Sequence, residues 1–319
     1  MQLRRLGQSG LLVSEVGLGC NNFGMRIGPE EAGQVVDAAI DAGITLFDTA
    51  DVYGEALSES YLGEALGKRR KDVIIATKFG SPIDASLYRR GASRQWIIDA
   101  CEASLRRLGT DYIDLYQLHW PDPAVPLDET LRALDDLITQ GKVRYIGSSN
   151  LSGWQVADAD WIARNLGLTR FVSTQNLLSL LERAATEEVL PACERFGVGF
   201  LPYFPLASGL LTGKYRLGRM VPKESRLANW GDRGMQALAD DNMERVEILT
   251  LWAEQRGRSI LELAFAWLLS QTPVSSVIAG ATTPQQICAN VAAAKWRPTA
   301  DDIFELSGML KTLPMSIAS

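Results

Sequence analysis

The chain has 319 residues, a quarter or less of them charged in mixed sign, and a formal net charge of −6. That length fits one large α/β barrel or two ordinary domains. The weakly acidic balance gives no electrostatic footprint for nucleic acid or for an anionic membrane.

The four cysteines, Cys20, Cys101, Cys193 and Cys288, are far apart and show no CxxC spacing. A disulfide framework or a zinc site is therefore not expected, no metal is assigned, and a reducing, cytoplasmic setting is the simpler reading. No apolar run reaches the ~20 residues of a membrane span. Arg4-Arg5 followed by Leu11-Leu12-Val13 and Leu18-Gly19-Cys20 faintly mimics a lipoprotein signal, but Ser14 and Glu15 interrupt the apolar stretch.

Leu3 to Val13, with Gln8-Ser9-Gly10 between apolar stretches, predicts a small β-hairpin ahead of the main fold. Strand and helix signals then alternate. Val16–Gly19 is a short apolar strand. Pro29-Glu30-Glu31 opens a helix whose apolar positions Val35, Val36, Ala39 and Ile40 recur at helical spacing, and Gly43 stops it. A strand from Ile44 ends at Asp48 and leads to a helix around Ser58–Leu66. A strand from Val73 ends at Lys78 and leads to a helix around Arg94–Leu108. Tyr112–Trp120 contains His119 and leads to a helix around Leu127–Ile138. Val143–Gly147, Phe171–Gln175 and Val198–Tyr203 continue the series, with helices around Trp154–Asn165 and Thr186–Phe196. Ser276–Ala279 is the eighth strand, and Thr283-Pro284 opens the helix after it.

This alternation predicts an α/β fold, a (β/α)₈ TIM barrel with an N-terminal β-hairpin and long loops at the C-terminal face, in a single domain over residues 1–319. A doubly wound sheet competes, but no GxGxxG turn follows an early strand. Two long connections, Gly80–Ser93 and Phe204–Asp240, fall on the carboxyl-end side and are placed to cover a substrate.

Carboxyl ends of parallel barrel strands converge on one face. Asp48, Lys78 and His119 sit at such ends, with Tyr53 just beyond the first. Each has a bland explanation alone: Asp48 as a cap, Tyr53 as a packed turn aromatic, His119 as a structural histidine. Lys78 is the hardest to dismiss. It follows five apolar or small residues, and a lysine at the mouth of a core needs a carboxylate partner or loses its charge. Asp48 is the nearest candidate by strand order. An ammonium beside Tyr53 is expected to lower the phenol pKa from ~10 toward a usable range. His119 would hydrogen-bond a substrate carbonyl and orient it. Such a site suits hydride addition to an aldehyde or ketone.

The four residues resemble, in order and approximate spacing, the tetrad of the aldo-keto reductases. The resemblance extends to Gly17-Leu18-Gly19, Phe47–Gly54, Tyr116–Pro121, Gly147-Ser148-Ser149-Asn150 and Pro205–Tyr215, and covers nearly the whole chain. It implies an NADP-dependent oxidoreductase of bacterial type that binds NADPH in extended form. It implies that Gly19, Cys20 and Asp48 border the cofactor and that Ser149, Asn150 and Gln175 hold the nicotinamide carboxamide. Tyr203 would stack on the ring, and Leu206, Ser208, Gly213 and Lys214 would grip the pyrophosphate. Gly280, Ala281, Thr282, Gln286 and Asn290 would take the adenosine end. Thr282 and Gln286 are uncharged where many relatives place arginine or lysine, which leaves NADH use open unless Arg216 or Arg219 reaches in. Phe204 stands where a serine is common. The substrate, a small-molecule carbonyl compound, is expected to meet Phe23, Tyr53, His119 and Trp120, with Tyr88 and Trp230 as further candidates.

Two other functional classes remain at this point: a nucleotide-sensing regulatory subunit of the same fold, and a Schiff-base lyase using Lys78. The chain is read as a monomer or homo-oligomer.

Overall fold

The computed structural model describes residues 1–222, 225 and 227–313. Two short strands, β1 (Leu3–Arg5) and β2 (Leu12–Ser14), pair antiparallel with Leu3 opposite Ser14 and Arg5 opposite Leu12. The main sheet has eight parallel strands: β3 (Val16–Gly19), β4 (Leu46–Asp48), β5 (Ile74–Phe79), β6 (Ile113–Leu118), β7 (Val143–Ser149), β8 (Ser173–Leu177), β9 (Gly199–Tyr203) and β10 (Val277–Gly280). Their order is β10-β3-β4-β5-β6-β7-β8-β9. The seam between β9 and β10 is bridged just below β10. There Phe200 N–H donates to Pro273 O at 2.7 Å and Ser275 N–H to Phe200 O at 3.0 Å. Eight parallel strands closed in this way form the expected (β/α)₈ barrel.

Helices pack outside it: α1 (Pro29–Asp41), α2 (Leu57–Leu66), α3 (Arg94–Leu108), α4 (Leu127–Thr139), α5 (Gly153–Leu166), α6 (Val189–Phe196), α7 (Asp232–Ala237), α8 (Asp240–Glu254), α9 (Ile260–Ser270), α10 (Pro284–Ala293) and α11 (Ala300–Thr312). Their starts follow local chemistry. Ser93, Ser152, Ser259, Thr283 and Thr299 each cap with a side-chain oxygen that accepts a backbone N–H of the first turn. Gln155, Glu262 and Asp302 complete reciprocal boxes.

Helices α8, α9 and α11 lie outside the sequence reading. The stretch between β9 and β10 holds α8 and α9, and α9 is the barrel helix of that unit. The chain also ends its described part in α11. No helix among the described residues is long and apolar enough to cross a membrane.

The core has two parts. The larger lies between the sheet and the helices. The smaller fills the barrel interior, where Leu46, Ala76, Leu115, Leu201 and Ile278 meet Leu6, Leu11 and Val13 from the hairpin. The hairpin thus plugs the amino-terminal end of the barrel. Each buried leucine there contributes roughly 1.5–3 kcal/mol. Gly7 makes the seal possible: at φ +58°, a Cβ there would stand 2.5 Å from Gly199 N and 2.6 Å from Gly197 O.

Candidate active site

With one end plugged, the chemistry is left to the other. A cavity of about 850 Å³ opens at the carboxyl ends of the strands. Its wall includes Gly19, Asp48, Tyr53, His119, Trp120, Ser149, Asn150, Gln175 and Tyr203, then Leu206, Ser208, Lys214, Gly280, Thr282, Gln286 and Asn290.

Asp48 and Lys78 occur on adjacent strands, β4 and β5, and their side chains meet in the barrel centre. Lys78 Nζ donates to Asp48 Oδ2 at 2.6 Å, to Thr49 O at 2.9 Å and to Tyr53 Oη at 3.4 Å. The other Asp48 oxygen accepts from Gln175 Nε2 at 2.8 Å and Gln117 Nε2 at 3.2 Å. Asp48 is thereby bonded to side chains from β5, β6 and β8. Alternation explains Gln117: it precedes His119 by two on β6 and faces inward with it, in register with Lys78. Sequence reading omitted Gln117, although the period of two could have found it.

Tyr53 lies on the loop after β4. That loop is held by Ser58 Oγ donating to Cys20 O at 2.8 Å and by a close approach at Gly54, where φ is +57° and a Cβ would lie 2.4 Å from Phe23 O. The Tyr53 ring meets the His119 ring edge-on at 5.8 Å between centroids, and Lys78 Nζ stands 5.0 Å from the Tyr53 ring centre. Ammonium, phenol and imidazole therefore share one pocket floor.

Burial, however, changes the expected titration of the phenol. It pushes the Tyr53 pKa up, and the Lys78 charge offsets only part of that rise. The net position is above the ordinary phenol value, not below it, so Tyr53 rests as a protonated donor at neutral pH. Burial alone would lower the Lys78 pKa, but the Asp48 charge and the hydrogen bonds more than offset it, and the net direction is upward. A lysine held as ammonium has no free lone pair, which argues against a Schiff-base role.

His119 is pushed down to about 3, by burial first and by the Lys78 charge second. It is a neutral imidazole throughout the physiological range. Its Nδ1 sits 3.1 Å from Ser81 Oγ. A Ser81 hydroxyl donating there leaves the ring proton on Nε2, where it can donate to a carbonyl oxygen. Two outcomes follow. The pH profile of kcat/KM should show no histidine step between pH 5 and 8. Because an unfolded histidine titrates near ~6.5, the unfolded chain binds more protons below that pH. The contribution of His119 to stability is thus complete above about pH 6.5 and lost as pH falls toward 3. Urea midpoints of wild type and His119→Gln, measured from pH 7 to pH 4, should converge as pH falls.

The residues expected to hold the nicotinamide amide form a chain of their own. Ser149 Oγ donates to Gln175 O at 2.7 Å; Asn150 Nδ2 donates to His119 O at 2.9 Å and to Ser149 Oγ at 3.0 Å. Tyr203 Oη donates to Asn150 Oδ1 at 2.8 Å. Phe204 packs edge-on against Tyr203 at 5.4 Å and forms cavity wall, which gives it a structural place in this site. Beyond it, Phe204, Ala207 and Ser208 all have positive φ, and Gly209 follows at +104°. Within this turn Ala207 N–H donates to Phe204 O at 2.9 Å and Gly209 N–H to Leu206 O at 2.8 Å, so the chain folds back on itself at the cavity wall. Lys214 Nζ, which makes no hydrogen bond or ion pair with a described residue, stands beside it, 3.3 Å from where a Gly209 Cβ would be. An ammonium without a carboxylate partner in a long polar-and-apolar cleft fits a dinucleotide.

Several predicted contacts are placed elsewhere. Phe23 is fully buried in the outer core and does not reach the cavity. Cys20 is equally buried, with its thiol pushed well above the usual range by burial and then by Asp48, so it is a packed residue behind the wall. Ala281 is also buried and contributes its carbonyl to Asn22 Nδ2 at 3.2 Å. Gly213 caps the turn ahead of Lys214 without lining the cavity. Tyr88 and Trp230 do not line it either. Arg216 is committed to Glu247 and Glu254, both at 2.8 Å, and Arg219 is not on the wall. Unforeseen wall residues include Asn21, Asn22, Arg26 and Leu261. They belong to loops and to α9, which carry no recognisable motif.

Comparison with known proteins agrees with this geometry. The model of the Aldo/keto reductase family matches residues 15–311. A probable voltage-gated potassium channel subunit beta of Oryza sativa subsp. japonica is 36% identical over 98% of both chains. One of Arabidopsis thaliana is 37% identical over 92% of this chain and 91% of its own. An uncharacterized oxidoreductase, YrpG, of Bacillus subtilis (strain 168) is 36% identical over 90% of this chain and 89% of its own. The chain belongs to the aldo/keto reductase family and is an NAD(P)H-dependent oxidoreductase.

Proposed function

We propose that the protein reduces aldehydes or ketones with NADPH, with Tyr53 as proton donor. The observation that carries this reading is the Asp48–Lys78–Tyr53 chain of contacts at 2.6 and 3.4 Å beside a neutral His119. The cofactor, when bound, supplies a hydride from nicotinamide C4. Lys214 and Ser208 would hold its pyrophosphate, and Tyr203 its ring. Thr282, Gln286 and Asn290 would border the adenosine.

His119 Nε2 donates to the carbonyl oxygen and orients it. Tyr53 Oη gives its proton to that oxygen as negative charge develops there. Lys78, fixed by Asp48 and Thr49 O, stabilises the phenolate left behind. A phenol whose pKa is raised stays protonated, and so holds a proton to give, at neutral pH. The reverse reaction, alcohol oxidation, needs phenolate and so should speed up as pH rises.

Quenching of tryptophan fluorescence gives a direct test, since Trp120 lines the cavity. NADPH and NADH titrated in parallel are expected to quench, with NADPH the tighter. Turnover of an aromatic aldehyde should follow. Saturable quenching without turnover across a broad set of carbonyl compounds would remove the reductase reading. It would favour a second one, a nucleotide-sensing regulatory subunit; the two plant relatives are named as probable channel subunits. The protein is read as acting on a small carbonyl compound, with neither nucleic acid nor a lipid surface as partner.

A further inference from the structure

Arg26 is the unexplained cation of the cavity. It lies in the β3–α1 loop and forms part of the wall together with Tyr53, His119 and Trp120. Most arginines of this protein are committed: Arg70, Arg107, Arg144, Arg170, Arg216 and Arg256 each pair with a carboxylate. Arg26 has no ion pair or side-chain hydrogen bond among the described residues, and it is exposed. Among the described residues the acid on the same wall is Asp48, and Lys78 already neutralises it. Of the described residues on that wall, Arg26 and Lys214 are cations with no carboxylate partner, inside a chain whose net charge is −6.

The two stand on different loops. Lys214 follows the turn after β9. The loop of Arg26 begins against β10, through Asn22 Nδ2 on Ala281 O, and then crosses to the β4 loop. There the Gly24 backbone lies against Gly54, the residue after Tyr53. The loop is short and braced: Arg26 N–H donates to Asn22 O at 2.8 Å, Gly24 N–H to Ile27 O at 3.0 Å. Its guanidinium is thus tethered to a fixed turn on the side where the proton donor sits, with five donors and no acceptor.

We propose that Arg26 selects carbonyl substrates carrying a negative charge, by holding a carboxylate at the cavity wall while the carbonyl meets Tyr53 and His119. This rests on the reductase reading above. The step itself is unchanged: hydride adds to the carbonyl carbon and Tyr53 protonates the oxygen, while the carboxylate keeps its charge. A planar guanidinium matches a carboxylate with two parallel hydrogen bonds. The apolar body of Trp120 on the same wall suits an aromatic or aliphatic spacer between the two groups.

The experiment compares 4-carboxybenzaldehyde with 4-nitrobenzaldehyde as substrates of wild type, Arg26→Gln and Arg26→Lys, with cofactor affinity read separately by fluorescence quenching. In wild type the carboxylated aldehyde should have the lower KM. Arg26→Gln should raise that KM by about ten- to a hundredfold, the range of a lost charge-assisted hydrogen bond. The nitro compound and kcat should change little. Arg26→Lys should recover part of the preference. Equal KM for both aldehydes in wild type and Arg26→Gln would overturn the proposal. So would a loss of NADPH affinity in Arg26→Gln that lowers both aldehydes alike, because the guanidinium would then serve a cofactor phosphate. If wild type reduced neither aldehyde while still binding NADPH, the reductase reading would fail first, and Arg26 would lose its substrate role with it.

Discussion

Replacing Tyr53 by phenylalanine is expected to lower kcat for carbonyl reduction by about 10²–10⁴-fold, the span of a general acid. Cofactor affinity should stay within about twofold of wild type, since Tyr53 Oη bonds Lys78 and none of the side chains placed to hold the cofactor changes. The ring keeps its edge-on contact with His119 and its place near Lys78. Only Oη is lost, and Lys78 Nζ retains Asp48 and Thr49 O as acceptors. Single-turnover hydride transfer, followed by NADPH absorbance, is the appropriate measurement. Wild-type turnover in the variant would reassign the proton to His119 or to water. A further arm uses pH: alcohol oxidation by wild type should climb with pH through the alkaline range, and the phenylalanine variant should be flat.

Lys78→Met is the second large effect, and it strikes stability as well as chemistry. Asp48 and Lys78 are both almost fully buried. Removing the ammonium leaves a carboxylate in the barrel centre with only the amides of Gln117 and Gln175 for company. Breaking a buried pair from one side costs about 3–5 kcal/mol. The expected outcome is a lower urea midpoint together with loss of measurable reduction. Lys78→Met combined with Asp48→Asn removes the stranded charge and should regain much of the stability with none of the turnover. A single variant as stable as wild type would show that Asp48 does not need its ammonium, and the electrostatic account of the site would have to be abandoned.

The barrel was readable because each strand of a parallel barrel is a short apolar run ending in a polar residue. Asp48, Lys78 and His119 advertise three of those ends, and strand order alone places them together. The helices α8, α9 and α11 did not announce themselves. α9 buries Ile260, Leu263, Ala264, Phe265, Ala266, Trp267, Leu268 and Leu269, so it is apolar on nearly all sides and shows no stripe to count. The bond from Gln175 to Asp48 crosses the barrel between residues 127 positions apart, a distance no local pattern encodes. The direction of the Tyr53 shift was also hidden. An ammonium neighbour could be inferred from spacing, but the competing weight of burial depends on packing around the phenol. Phe23 and Cys20 illustrate the same limit. Cys20 is expected to border the cofactor and Phe23 the substrate, yet side-chain direction turns both into the outer core.

The plug at the foot of the barrel has a consequence for the order of assembly. Leu6, Leu11 and Val13 leave the ribosome well before Ile278, one of the side chains they rest on. They must therefore wait for all the intervening staves to be made before their seat is finished. A nascent chain halted ahead of residue 277 would leave that greasy hairpin with part of its seat missing, so the joining of β10 to β3 completes the seal.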